Sequence, residues 1–362
     1  MADRAQNYRG CLLGMAVGDA MGYTIDDDTW EQIQKNYGRN GLLGYDLQSE
    51  EYAQVTSYTH IAAYLCNGLL LSVARSRTDP LPYCKVAMKE WVRSQQFYRD
   101  PDKTHCWIAK LPYLRRGYCR DSSMLATHRR ECYGTLDNPI NDSTTPSSLT
   151  MAVAVAMFYN SKRMPAQQVG TLTAELIALT HGNPETILSG VVLAYALAGI
   201  LQEPDMALED QFRQAIGAME GQFGARFPQA EALAQYLQMI IDLALEGEQF
   251  PQAGMEQMRC LDADQCLAGA IFAALTCPED FDTGIITAVN HSGVSTAVGA
   301  IAGAILGAKL GEEALPEFYL ESLESCKALR VLADDMVSAT PALGLFDTNW
   351  DEKYTQGNVP AL

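Results

Sequence analysis

Apolar residues recur along this chain with helical spacing almost from end to end. Ile61, Tyr64, Leu65, Gly68 and Leu69 follow the i, i+3, i+4, i+7, i+8 pattern that turns one helix face toward a core. The same period predicts helices over residues 148–159, 170–180, 187–201, 231–245, 265–275 and 315–332. No sustained period-two alternation bounded by hairpin turns interrupts them, so no extensive sheet is expected. Asn183-Pro184, Glu203-Pro204, Phe227-Pro228 and Cys277-Pro278 fall between the runs as joints, and none is a long polar linker. The pattern predicts one compact all-α domain spanning residues 1–362.

Composition narrows the function classes. Of the 362 residues, 48% are apolar and 19% charged, enough for a sizeable core and incompatible with global disorder. Acidic residues outnumber basic ones 44 to 26, and the formal charge of −18 argues against partners such as nucleic acid or an anionic membrane. The first ten residues are polar and charged, without the apolar core of a secretory signal. The longest apolar stretch, residues 187–201, is shorter than the roughly 20 residues that cross a bilayer and reads as a buried helix. Ten scattered cysteines with no C-x-x-C pair read as reduced, buried thiols of a cytoplasmic protein.

Two segments stand out for their glycines. Gly10, Gly14, Gly18 and Gly22 fall every four residues, as do Gly299, Gly303 and Gly307. On a helix each set forms one stripe along which another backbone can approach closely. Glycine inside a helix costs about 1 kcal/mol relative to alanine, so close packing of two central helices is the expected compensation. Such packing does not account for the polar residues at the stripe ends, Asp19 and Asn290-His291-Ser292-Gly293.

Those residues carry a resemblance. Arg9-Gly10-Cys11-Leu12-Leu13-Gly14-Met15-Ala16-Val17-Gly18-Asp19-Ala20-Met21-Gly22 resembles the R-G-x-L-x-G-x-A-x-G-D-A-x-G opening of the ADP-ribosylglycohydrolases. Ala288-Val289-Asn290-His291-Ser292-Gly293 and the glycine stripe after it resemble that family's late motif. Asn138-Pro139-Ile140-Asn141-Asp142-Ser143, Thr180-His181-Gly182-Asn183-Pro184 and Leu315-Pro316 occur between and beyond them in the family's order, so the resemblance runs from about Arg9 to Asp335. It implies an orthogonal multi-helix bundle with a cleft for ADP-ribose. In active members two magnesium ions assist cleavage of the bond between the ribose and a modified side chain. Hard divalent ions take oxygen ligands, and a pair of them can activate water and hold ribose hydroxyls.

The family's metal motifs, S/T-D-D-T early and D-x-D-S/T late, are both altered here. The early register reads Thr56-Ser57-Tyr58-Thr59-His60, which sets Ser57 and Tyr58 at the aspartate positions. The late register reads Val294-Ser295-Thr296, with Val294 and Thr296 where carboxylates stand in the family. No cofactor is therefore expected, because neutral side chains do not offset the cost of burying two divalent ions. The glycine-rich K-G-C-G-G-V-M-R turn is replaced by Thr144-Thr145-Pro146-Ser147-Ser148-Leu149-Thr150-Met151, where Ser147 and Ser148 are expected to cap a helix whose N-terminus attracts an anion. The P-G-N-T segment is replaced by Tyr118-Cys119-Arg120-Asp121, in which Arg120 reads as an exposed surface residue more readily than a phosphate contact.

Asp26, in the run Asp26-Asp27-Asp28, is the candidate general base for a metal-free reaction, although the run reads more simply as a loop and cap for the helix after Thr29. His60 and His291 flank the two altered motifs, with Cys66 six residues beyond His60, but no metal-ligand spacing joins them. The expected ligand cleft comprises Asp19, Ser57, Tyr58, Thr59, His60, Ser147, Ser148, His291, Val294, Ser295 and Thr296. Three functions stay open: a catalytically degenerate binder of ADP-ribose or a related nucleotide, a metal-free hydrolase using Asp26, and a protein-binding scaffold whose cleft is filled by side chains such as Tyr58.

Overall fold

Caps and prolines set where the helices begin. The structure is a computed structural model and describes residues 2–26, 28–47, 50–95, 104–115, 119, 121–159, 164–247, 251–339 and 348–362. Asp27, Tyr118 and Arg120 lie outside the described residues. Helix α1 (Ala2–Tyr23) is followed by α2 (Trp30–Tyr37), which opens in a capping box. There Thr29 Oγ1 accepts from the Gln32 N–H, and Gln32 Oε1 accepts from the Thr29 N–H at 2.7 Å. Next come α3 (Ser57–Ala74), α4 (Leu81–Ser94), α5 (Ser122–Arg130), α6 (Leu149–Phe158) and α7 (Ala166–Ala178). Asn183 caps α8 (Pro184–Gln202), with Pro184 in the first turn where its missing N–H costs nothing. The chain continues through α9 (Leu208–Phe223), α10 (Gln229–Glu246), α11 (Pro251–Met258), α12 (Ala263–Thr276), α13 (Phe281–Val289) and α14 (Ser295–Leu310). It ends with α15 (Glu317–Glu321), α16 (Cys326–Ala339) and α17 (Thr348–Tyr354). All four proline joints separate helices as the sequence predicts.

At the centre α1 and α14 run antiparallel with their glycine stripes face to face. A Cβ added at Gly10, Gly14 or Gly18 would lie 2.1, 2.3 or 1.9 Å from the carbonyl oxygens of Gly307, Gly303 and Gly299. At Gly22 the obstacle is the Ser295 carbonyl, at 2.4 Å. The two backbones therefore touch over four turns, and any larger residue on either stripe would separate them. Around this pair the buried apolar side chains form one continuous cluster. The α8 segment is long and apolar enough to cross a membrane by composition, yet 78% of that window is buried inside the fold.

Two sequence expectations change. The helix predicted over 315–332 is broken into α15 and α16. Between them the Ala53 N–H donates to the Ser322 carbonyl at 2.8 Å, and Ala53 and Leu323 form an isolated parallel bridge. The tie to the loop before α3 takes up a carbonyl that a continuous helix would have used. The cysteines are all free thiols, but Cys119 and Cys277 are half-buried and Cys132 is exposed, so burial holds for seven of ten.

Candidate functional site

The ends of the glycine stripes hold the polar residues that close packing left unexplained, and each has a structural task. Asp19 lies fully buried beneath the N-terminus of α3. Its Oδ2 accepts the N–H groups of Thr56 and Thr59 at 2.9 and 3.0 Å and the Thr59 hydroxyl at 2.5 Å, while Oδ1 accepts the Thr56 hydroxyl at 2.7 Å. A carboxylate here satisfies amides that the first helical turn leaves unpaired and complements the helix dipole. Asn290 pins the loop after α2: its Oδ1 accepts the Leu42 N–H at 2.8 Å, and its amide donates to the carbonyls of Leu42 and Ile286. Gly41, at φ +73°, admits that side chain, since a Cβ there would lie 2.1 Å from Asn290 Oδ1.

Burial pushes the Asp19 carboxyl up to about 6, against the pull of the Thr56 and Thr59 hydrogen bonds. Between about pH 4 and pH 6 the folded chain thus holds a proton that the unfolded chain has released. The stability this group contributes is full below about pH 4 and is lost as pH rises through about 6. Asp19→Asn is expected to remove a slope of roughly 3 kcal/mol across that window, while lowering stability overall because an amide nitrogen would face backbone donors. Urea unfolding at a series of pH values checks this, and an unchanged slope would mean that Asp19 titrates alike in the folded and unfolded chains.

The altered motifs come together at the N-termini of α3 and α14. Asp26, nearly buried, accepts the Thr296 N–H at 2.8 Å. It therefore caps α14 from across the fold, and Thr29, not Asp26, caps α2. This corrects the reading of Asp26 as part of a local helix cap. Tyr58 is half-buried, and its phenol is pushed well up by burial and by the acidic groups Cys266, Asp26, Asp19 and Asp121. Ser57 is buried, Thr59 is engaged by Asp19, and Ser295 donates to the His291 carbonyl at 3.3 Å. The Val294 N–H donates to the Cys260 carbonyl, and the Thr296 hydroxyl is buried without a hydrogen-bond partner.

A second cluster surrounds Asp121. Its Oδ1 caps α5 at the Met124 N–H, and its Oδ2 accepts from the hydroxyls of Ser147 at 2.5 Å and Thr145 at 3.2 Å. His181 Nε2 is 3.0 Å from the same oxygen and 2.8 Å from Thr145 Oγ1, and its Nδ1 is 2.8 Å from Thr180 Oγ1. Burial pushes the Asp121 carboxyl up, but His181, Ser147 and the Met124 N–H outweigh it and hold it well below the usual carboxylate range. The serine is bonded to the carboxylate and not to the histidine, which is not a nucleophile–base arrangement. Ser147 and Ser148 accordingly do not cap α6 with their side chains, contrary to expectation: Ser148 Oγ bonds back to the Thr145 carbonyl and Ser147 Oγ to Asp121. The anion at this helix N-terminus is the protein's own carboxylate. Neither Asp121 nor His181 is singled out by the sequence: His181 shows only as part of a motif in the family's order, and Asp121 lies in a segment that departs from the family pattern.

His60 and His291 do not form a catalytic pair. Both are fully enclosed, and burial pushes both imidazoles down to about 4, so they are neutral near pH 7. His291 Nδ1 accepts the Gly293 N–H at 2.9 Å and shapes the turn into α14. Cys66 is likewise buried, and desolvation raises its thiol far above the reactive range. As donors for a divalent pair, Ser57, Tyr58, Val294 and Thr296 bring no formal charge, and Asp19, Asp26 and Asp121 already accept backbone amides. This donor set does not fit two magnesium ions.

No curated protein matches the chain. A solved structure described as an ADP-ribosylglycohydrolase-related protein complex superposes with a TM-score of 0.58 at 21% identity, covering 94% of this chain and 100% of that one. It shares the all-α fold. The family model for ADP-ribosylglycohydrolase matches residues 1–344, taking in both glycine stripes, the Asp121–His181 cluster and the altered motifs. The chain belongs to the ADP-ribosylglycohydrolase family.

Proposed function

We propose that this member of the family has given up metal-dependent hydrolysis and serves as a cytoplasmic binding or regulatory module for ADP-ribose or a related nucleotide. The observation that carries the reading is the set of side chains at the four metal-carboxylate positions. Ser57 and Thr296 are buried and neutral, Val294 is apolar, and Tyr58 carries a phenol that burial keeps protonated. Asp26, the candidate substitute, accepts the Thr296 N–H. A nucleophilic water between these groups would lack the metal that lowers its pKa in active relatives.

Calorimetric titration with ADP-ribose, with and without magnesium, tests this reading, together with an assay for ADP-ribose release from modified arginine or serine. Binding that is indifferent to magnesium, with no release, is the expected result. Magnesium-dependent binding would restore the enzyme reading, and absence of any binding would leave a scaffold. Release that persists in chelator and disappears in Asp26→Asn would establish a metal-free hydrolase, with Asp26 as general base.

A further inference from the structure

A concavity of about 420 Å³ lies beside the C-terminal end of α1, walled by Tyr23, Tyr45 and Tyr52 together with Asp46 and Glu50. A second, of about 690 Å³, runs along α15 and the start of α16 and shares Tyr52 with the first. They meet where Ala53 bridges Leu323. Glu313, Glu317 and Glu321 line the second, all exposed. Among the described residues neither these three nor Glu50 takes part in an ion pair. Of the two cations in the lining, Arg330 is committed to Glu312, which leaves Lys327. The Tyr45 ring packs edge-on against Tyr319, with centroids 5.0 Å apart, which fixes it in the groove wall. The charge of Glu51 is the main cause that lifts the Tyr52 phenol above its usual value, a sign of the local negative potential.

A ligand that suits this groove carries positive charge, donates several hydrogen bonds at once and presents a flat face to tyrosine rings. The guanidinium of arginine does all three: five donors lie in one plane that stacks on aromatic faces, whereas an ammonium is a hydrated point charge. Carboxylates spread over two joined concavities suit several such groups on one chain better than a single small cation. We propose that this tyrosine-walled acidic groove docks an arginine-rich segment of a partner protein. The groove shares no residue with the altered metal motifs, so the proposal stands apart from the reading of the cleft.

Labelled hexa-arginine and hexa-lysine, titrated against the full chain at low ionic strength and followed by fluorescence anisotropy, provide the test. Hexa-arginine is expected to bind severalfold more tightly than hexa-lysine, and Tyr52→Ala to abolish that preference. The exposed triple variant Glu50→Gln, Glu317→Gln, Glu321→Gln is expected to lose about tenfold in affinity. The matched triple Asp210→Asn, Glu220→Gln, Glu231→Gln on α9 and α10 removes the same charge elsewhere and is expected to stay within about twofold. Equal losses in the two triples would show attraction by net charge alone and overturn the proposal. So would equal affinity for the two peptides, or no binding.

Discussion

Gly18→Ala is expected to cost this protein about 3 kcal/mol or more of stability, although alanine is the better helix former. The added methyl would lie 1.9 Å from the Gly299 carbonyl oxygen and 2.3 Å from its carbon, and both atoms are backbone that cannot rotate away. Relief requires α1 and α14 to separate, which would loosen the apolar cluster packed around the pair. Gly303→Ala meets the Gly14 carbonyl at 2.0 Å from the opposite side and is expected to behave alike. Because the two sites share one interface, the double variant should cost less than the sum. Gly217→Ala supplies the contrast. It sits in α9 with nothing within 4 Å of an added Cβ, so it should gain up to about 1 kcal/mol. Thermal and urea unfolding of the variants measure all of these, and a neutral Gly18→Ala would refute the backbone contact.

Restoring all four carboxylates, with Ser57→Asp, Tyr58→Asp, Val294→Asp and Thr296→Asp, is expected to exchange stability for metal binding. Without metal, the new charges would join Asp19, Asp26 and Asp121 in a largely buried region. Unfolding should become several kcal/mol easier, and the carboxyl pKa values should rise. Magnesium should then reverse the loss in a saturable way, by about 2.7 kcal/mol at a hundredfold excess over its dissociation constant. The wild type should show only a general salt response. Turnover is expected to recover less than binding, because Ser147 and Asp121 fill the turn where the family places its glycine-rich loop. A displacement of about 1 Å at a reacting centre can cost on the order of a hundredfold in rate. A saturable magnesium shift in the wild type itself would overturn the proposed degeneracy.

Helical periodicity, the proline joints and the two glycine stripes were legible along the chain because each is local: a period, a fixed φ, a missing side chain. The family was legible too, since its motifs keep their order over nearly the full length. Substitution of the carboxylates was visible as four residue types in a known register. The break between α15 and α16 was not, because the residue tied to the chain at that point, Ala53, lies far away in sequence.

What the sequence by itself determined is therefore the all-helical architecture, the faces its helices bury and the residue types that stand in the two altered motifs. Only the tertiary structure decided how the surviving polar residues are used. Asp19 holds the N-terminus of α3, Asp26 caps α14 rather than α2, and Asp121 gathers Ser147, Thr145 and His181. An aspartate's side chain is the same whether it caps a helix, holds an ion or takes a proton. The amides that claim these three come from next door at Met124, from α3 at Thr56 and Thr59, and from 270 positions away at Thr296, which the packing of α14 against α1 brings to Asp26.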